Sequence, residues 1–313
     1  MDYLNNFNNL KEYPKISIVT PSYNQAEFLE ATINSVLSQN YPNLEYIIID
    51  GGSTDGSLDI IKKYDNYLHF WCSEPDAGQY NAINKGFSHS TGEIMAWLNS
   101  DDMYLPWTFK TVADIMSTFP TVEWLTTLNP GFWDYHGFCS GFTSAPGYSM
   151  ETFLDSCYLP WNNSKGLTLN NIKGLTWIQQ ESTFWRRELW NSIGGCLRTD
   201  IKLASDFDLW CRFYTKTELY GTTSPLGGFR IQYKQRSRNI EEYLKECNIS
   251  LSSIQKSLNW KPNILRNILF MNLRKIPRIR KFVLSKWGYK AKKIFRAERD
   301  QPDSYWEIEN YRF

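Results

Sequence analysis

Four short apolar runs, each but the last followed by a helical pattern, occupy Lys15 to Asp102, and this alternation constrains the fold more than any other feature of the 313 residues. Lys15 to Thr20 is a β-branched run that Pro21 is expected to stop; Tyr46 to Ile49 leads into Asp50; His69 to Glu74 is broken by Pro75; Ile94 to Leu98 runs on towards Asp101 and Asp102. Between them Leu29, Ile33, Val36 and Leu37, then Leu58, Ile61 and Tyr64, then Tyr80, Ile83 and Phe87 recur at helical spacing. Strands that are apolar throughout are covered on both faces, and strand–helix alternation predicts a largely parallel sheet flanked by helices, an α/β fold. Ligands of such sheets sit outside the carboxyl ends of the strands. Asp50, Asp76, Asp101 and Asp102 all fall at such ends.

Adjacent carboxylates repel one another unless a cation or hydrogen-bond donors offset them. A hard divalent cation that also touches substrate phosphates meets that requirement; for an isolated Asp-Asp pair a solvated turn is the competing reading. Asp50 precedes Gly51-Gly-Ser-Thr-Asp-Gly56, a tight turn, and either serves a ligand or satisfies that turn's amides.

Trp107 to Phe119 is expected to form a helix and Val122 to Leu128 a strand. Gly131 to Tyr148, with four Gly and six aromatic residues in no clean period, predicts a mobile loop or lid. Trp177 to Trp185 reads as strand-like, and Arg186-Arg187 opens a helix to Ile193. Ala204 to Phe213 is amphipathic, with Asp206 in its first turn, where the helix dipole favours an anion.

Four stretches resemble, in order, the nucleotide-sugar-binding half of the family 2 glycosyltransferases: Ile18-Val-Thr-Pro-Ser-Tyr-Asn24, Ile49 to Gly56, Glu74 to Gly86 and Asn99-Ser-Asp-Asp102. The likeness continues through Gln180 to Arg186, Ser205 to Trp210 and Gly228-Phe-Arg230. The resemblance implies a GT-A fold, with residues 1–125 as the donor half and 126–240 as the acceptor and catalytic-base half; residues 241–313, beyond it, are expected to form a basic helical tail. It places Thr20, Pro21, Tyr23, Asp50, Asp76, Gln79 and Asp101 around a nucleoside-diphosphate sugar, with Asp102 on a Mn2+ or Mg2+ cofactor. Asp206 stands at the family's general-base position, with Asp208 as a competing candidate, and Gln180, Glu181, Trp133 and Arg230 are acceptor-side candidates. The Gln-x-x-Arg-Trp sequence of processive members is absent from this sequence, which implies transfer of one sugar per encounter.

Charge divides the chain. Between Lys261 and Arg299 the local balance is +12 on a chain of net +1, leaving −11 elsewhere. Ile264, Leu265, Ile268, Leu269 and Leu273, then Ile279, Val283, Trp287, Ala291 and Ile294, predict two basic amphipathic helices that lie on an anionic membrane or dock on the acidic body. Nucleic acid is not expected as a partner, because it would leave the apolar stripe without a role. There is no run of 18 apolar residues and no apolar core in the first nine residues, so the expected location is cytoplasmic, peripheral to the inner membrane face. Aromatic residues reach 16%, including 13 Trp, a surplus that serves either core packing or sugar stacking, with Trp133, Trp161 and Trp177 as candidates for both. The six Cys contain no Cys-x-x-Cys pair, which argues against a zinc site.

The expected function is an inverting transfer of one sugar, from UDP by preference, to a hydroxyl of a glycan or lipid-linked acceptor. A nucleotidyltransferase and a catalytically silent nucleotide-sugar-binding module are the alternatives. The Gly-rich phosphate loop of the first is missing at Pro21-Ser-Tyr-Asn24, and the full set of acids argues against the second.

Overall fold

The computed structural model describes residues 13–156, 178–233, 235, 239–263, 266, 270, 272–273, 275–298, 301 and 304–313. Trp161, Trp177, the first nine residues and the tail positions Ile264, Leu265, Ile268, Leu269 and Arg299 lie outside them.

The strands are β1 (Ile16–Ser22), β2 (Leu44–Asp50), β3 (Phe70–Ser73), β4 (Ile94–Trp97), β5 (Met103–Tyr104), β6 (Trp124–Thr127), β7 (Gly131–Trp133), β8 (Cys139–Phe142), β9 (Phe184–Arg186), β10 (Tyr220–Thr222), β11 (Gly227–Arg230), β12 (Lys290–Arg296) and β13 (Trp306–Arg312). The helices are α1 (Ala26–Leu37), α2 (Ser57–Lys63), α3 (Gln79–Ser88), α4 (Thr108–Thr118), α5 (Met150–Leu154), α6 (Arg187–Ser192), α7 (Ser205–Phe213), α8 (Ile240–Ser257) and α9 (Arg280–Trp287). The main sheet runs β13-β12-β10-β6-β9-β4-β1-β2-β3, and a smaller one runs β5-β11-β7-β8. In the main sheet β9 is antiparallel to β4 and β6, and β13 is antiparallel to β12. The parallel order β3-β2-β1-β4 reverses direction at β1, which opens a crevice at the carboxyl ends of β1 and β4.

β1 does not stop at Pro21 but continues to Ser22, pairing Pro21 with Ile49 of β2. Pairing with β4 has already ended at Val19, so the proline's missing N–H removes no bond from the β4 side. Gly86 of α3 lies so close to β1 that a Cβ would meet Val19 Cγ1 at 2.4 Å, and this close approach seats α3 against the sheet.

The tryptophan surplus is largely core. Trp97, Trp124, Trp185 and Trp210 are all fully buried. Trp210 stacks on Trp124 at 5.3 Å and on Trp97 at 6.2 Å, with Trp185 edge-on at 6.1 Å. Aromatic pairs of this kind contribute about 0.5–1.5 kcal/mol beyond their buried area. The cluster ties α7 to β4, β6 and β9, so the helix carrying Asp206 rests directly on the strand that leads to Asp101.

The segment expected to be a loop over 131–148 instead supplies β7 and β8 to the small sheet. Strands of three and four residues are too short for a period-2 pattern to register. Gly131 of β7 pairs with Gly228 of β11 so closely that a Cβ on Gly131 would lie 2.9 Å from the Gly227 carbonyl oxygen. Nor is 177–185 a single strand in its described part: Gln180–Ser182 is a 3-10 turn before β9. The turn is held by Ser182 Oγ donating to Gln179 Oε1 at 3.0 Å and by Thr183 Oγ1 donating to the Gln179 carbonyl at 2.7 Å.

The second tail helix is also corrected. After α9 the chain breaks at Gly288 and becomes β12, parallel to β10 at the end of the main sheet and covered by β13. The four-residue spacing of Ile279, Val283, Trp287 and Ala291 passes through Gly288, and that spacing gave no sign of the break. Val283, Tyr289, Ala291, Phe270 and Phe313 form a second small core, while Ile294 joins the main one.

Candidate active site

A cleft of about 810 Å³ opens at the carboxyl ends of β1–β4. Pro21, Tyr23, Asp76, Gln79, Asp101, Asp102, Gln180, Glu181 and Asp206 line it; Thr20, Asp50, Trp133 and Arg230 do not.

Asp101 and Asp102 come after β4, with Leu98, Asn99 and Ser100 between, and Asp102 is only 1% exposed. Asp102 Oδ1 accepts the Arg230 backbone N–H at 2.9 Å, and Oδ2 accepts from Asn99 Nδ2 at 3.1 Å. Burial, then the neighbouring Asp101 and Glu181 carboxylates, push its carboxyl well above the ordinary range. Burial likewise raises Asp101, against the Gln232 side-chain amide, which donates to its Oδ2. Gln79 Nε2 donates to Asn99 Oδ1 at 2.7 Å, and Asn99 also reaches Gln180 Oε1 at 3.3 Å, so a chain of side-chain amides connects α3, β4 and the 3-10 turn.

The acid pair suits a hard cation: both groups offer oxygen only, and each Asp102 oxygen keeps a lone pair beyond its one hydrogen bond. Among the described residues no cluster of three or more His, Cys, Asp or Glu is arranged to enclose a metal ion. A cation here would therefore complete its shell with oxygens from a ligand, as magnesium-type sites do with phosphates.

Asp206 sits in the first turn of α7, where its Oδ1 accepts the Phe207 N–H at 2.8 Å. Burial pushes its carboxyl up to about 6. Asp208 turns away from the cleft, accepting from Arg212 Nε at 2.9 Å and from Ser250 Oγ at 3.0 Å. Glu181, 4% exposed, is pushed up to about 8 by burial and by the Asp101 and Asp206 carboxylates. Gly227 makes room for it, since a Cβ there would lie 2.6 Å from the Glu181 carbonyl oxygen.

Four expected ligand residues have other employment. Asp50 is fully buried, its Oδ2 accepting from Gly52 N at 3.1 Å, Ser53 N at 2.9 Å and Ser73 Oγ at 2.7 Å, while Oδ1 accepts from Ser53 Oγ. Thr20 Oγ1 pairs with the Tyr46 hydroxyl. Trp133 Nε1 donates to the Met103 carbonyl, and its neighbour Phe132 faces the cleft instead. Arg230 is buried behind the acid pair, donating from Nε to the Asp101 carbonyl at 2.6 Å and from Nη1 to the Tyr135 carbonyl at 3.0 Å.

Four contributors carry no signal in the sequence: Ser22, Gln25, Glu246 and Gln232. Ser22 Oγ, Gln25 Oε1 and Glu181 Oε1 are buried atoms with no hydrogen-bond partner among the described residues, and all three residues line the cleft. Buried polar atoms are nearly always satisfied, and three of the nine exceptions among the described residues lie at this cleft, where a polar ligand would partner them. Glu246 of α8 accepts the backbone N–H groups of Lys202, Leu203 and Ala204 at 2.9, 2.7 and 2.9 Å, fixing the approach to α7. Gln232 completes the set by holding Asp101. Ser22 and the Gln25 Oε1 atom become buried beside Pro21 only in the fold, so the sequence carries no sign of them.

Residues 17–128 match the family model described as glycosyl transferase family 2. The chain carries a family 2 glycosyltransferase domain. Its α/β architecture, a central sheet flanked by helices, is the GT-A fold of that family. An uncharacterised glycosyltransferase of Rickettsia conorii is 26% identical over 78% of this chain and 38% of its own length. The putative teichuronic acid biosynthesis glycosyltransferase TuaG of Bacillus subtilis is 40% identical over 94 residues, covering 29% of this chain and 37% of that protein. The chain thus spans about two fifths of the length of the first curated relatives it matches. Among solved structures, S. aureus TarS 1-349 in complex with UDP-GlcNAc superposes with a TM-score of 0.52 at 16% identity, covering 86% of this chain and 75% of that one. The mannosyltransferase PcManGT of Pyrobaculum calidifontis, in complex with GDP-Man and Mn2+, gives 0.50 at 15% identity, over 86% and 83%. At these identities the two structures show the shared fold alone.

Proposed function

We propose that the cleft binds a nucleoside-diphosphate sugar, by preference a UDP-sugar, and transfers one sugar with inversion to a hydroxyl of a glycan or lipid-linked acceptor. The observation that carries this reading is the presence in one cleft of the Asp101–Asp102 pair, the base candidate Asp206 and three orphaned buried oxygens. The ligands of TarS and PcManGT support a nucleotide-sugar donor, and the name of TuaG supports polysaccharide biosynthesis as the setting.

In this scheme Tyr23, 62% exposed at the cleft mouth, covers the base, and Asp76 with Gln79 faces the ribose and sugar. Asp50 acts through the turn it holds rather than by direct contact. Asp102, with Asp101 beside it, would hold a Mn2+ or Mg2+ ion, which when bound supplies charge neutralisation at the leaving diphosphate. Asp206 accepts the proton of the acceptor hydroxyl as that oxygen bonds to the anomeric carbon and the bond to the diphosphate breaks. A value of about 6 leaves Asp206 mostly ionised at neutral pH yet basic enough to take a proton. Glu181, predominantly protonated at pH 7, donates to a sugar oxygen between the two acids.

The test is a thermal-shift panel of UDP-, GDP- and dTDP-sugars with Mn2+ or Mg2+, followed by measurement of nucleoside diphosphate release. Stabilisation by one donor class together with metal-stimulated release supports the scheme. Binding without release would favour the silent module, and pyrophosphate release from a nucleoside triphosphate would favour a nucleotidyltransferase.

A further inference from the structure

The tail's cations divide into two groups. Those nearest the body are paired: Arg266 with Glu151 at 2.8 Å, Lys292 with Glu218 at 2.8 Å, Lys293 with Glu309 at 2.6 Å and Arg296 with Asp114 at 3.6 Å. Residues 275–286, by contrast, carry Lys275, Arg278, Arg280, Lys281 and Lys286 with no acid in the segment. Among the described residues none of these five lies in an ion pair, and all five are exposed.

The same twelve residues expose apolar side chains. Ile276 is 45% exposed, Ile279 38% and Phe282 60%. Folding does not require them at the surface, because the inward face of α9 is served by Val283, 1% exposed, packed with Phe270, Tyr289, Ala291 and Phe313. The Lys286 ammonium lies 5.8 Å from the Phe282 ring and 5.3 Å from the Trp287 ring, which gathers charge and aromatic surface into one patch.

We infer that residues 275–287 form a docking platform for an anionic lipid bilayer, held on the catalytic body by the β12–β13 pair. The platform is a short part of the 261–299 tail, fixed by its own small core. An anionic surface takes up the five unpaired cations, and its headgroup boundary takes up Ile276, Ile279 and Phe282. Nucleic acid or an acidic protein segment would satisfy the cations but leave those three side chains in water. The platform stands independently of what the cleft transfers.

The test is co-sedimentation of the full chain with vesicles of 30% phosphatidylglycerol in phosphatidylcholine and with pure phosphatidylcholine. Each cation near an anionic surface is worth roughly a factor of five in partitioning, so Arg278→Gln/Arg280→Gln/Lys281→Gln should weaken binding roughly a hundredfold. Phe282→Ser should weaken it several-fold with every charge retained. A charge-matched control, Lys216→Gln/Lys245→Gln/Lys256→Gln, alters exposed positions elsewhere and should leave binding within a factor of about three. Thermal melts of all variants should coincide with the parent. Equal loss in the control, no dependence on phosphatidylglycerol, or an unchanged Phe282→Ser partition accompanied by displacement with short duplex RNA would each overturn the platform.

Discussion

Arg230 binds Asp102 through its backbone: the amide N–H donates to Oδ1 at 2.9 Å, while the side chain of the same residue donates to the Asp101 carbonyl at 2.6 Å. One residue of the small sheet thereby fixes both acids of the segment between β4 and β5, across 128 residues of sequence. The acceptor-side role expected of Arg230 gives way, in this geometry, to positioning the acid pair.

Arg230→Met should keep the backbone bond but leave the Asp101 and Tyr135 carbonyls without their donor. Each lost bond from a charged group costs about 1.5–3 kcal/mol, so a loss of roughly 3–6 kcal/mol in chemical denaturation is expected, with weaker metal-assisted nucleotide binding by calorimetry. A variant as stable as the parent would show that the guanidinium is dispensable to the brace.

The acid pair was legible because a strand apolar from Ile94 to Leu98 leads almost directly into it, and Asp206 because its helix is plainly amphipathic. Arg230 was legible as part of a motif but not as a brace, since a backbone amide bond leaves no trace in side-chain identity. Glu246 looks like any acid on an exposed helix until α8 is seen against the 202–204 turn. Asp50 stood open between ligand and turn, and its hydrogen bonds favour the turn. The strands β7 and β12 were missed for opposite reasons: β7 is too short to show a period, and β12 lies inside an accidental helical one that ignores Gly288.

Asp206→Asn should retain donor binding and lose turnover by about 10²–10⁴-fold, the usual contribution of a positioned base. Burial sets its folded value at about 6, above the ordinary carboxylate value, so the neutral form is favoured on folding. Stability should therefore fall as pH rises from about 4 to 6, while turnover rises through the same window. The Asn variant removes that penalty and should be more stable at pH 7.5 by roughly 1–2 kcal/mol. A calorimetric melt series alongside initial rates between pH 4.5 and 8 checks both signs. Loss of activity together with loss of stability would make Asp206 structural.

Glu246→Gln should act on rate and not on donor affinity. The Gln keeps one acceptor oxygen for three backbone N–H groups, so the turn before α7 loosens while the nucleotide side of the cleft is untouched. A fall in kcat of about tenfold, corresponding to about 1.4 kcal/mol, with unchanged donor binding is expected. The Glu246 charge also raises Asp206 slightly, so the acid limb of the rate profile should move to lower pH in the variant. An unmoved limb with a raised donor KM would reassign Glu246 to general stability.

Metal-assisted nucleotide binding should strengthen with pH. Asp102 is raised well above the usual carboxylate range by burial, then by Asp101 and Glu181, and a carboxyl must lose its proton before it ligates a cation. Protons and metal thus compete, and uridine diphosphate with Mn2+ should raise the melting temperature more at pH 8 than at pH 5.5. Asp102→Ala should abolish the metal-dependent part, and Asp102→Asn should leave it weak at both pH values, because the amide ligates poorly and does not titrate. Saturation at 100 times the dissociation constant adds about 2.7 kcal/mol, a shift easily read in a chain of this size. If the shift at pH 5.5 equalled that at pH 8 in the parent chain, the acid pair would be excluded as the metal-binding group, and the search for the diphosphate's counter-charge would turn to the side of the cleft lined by Gln232 and Gln235.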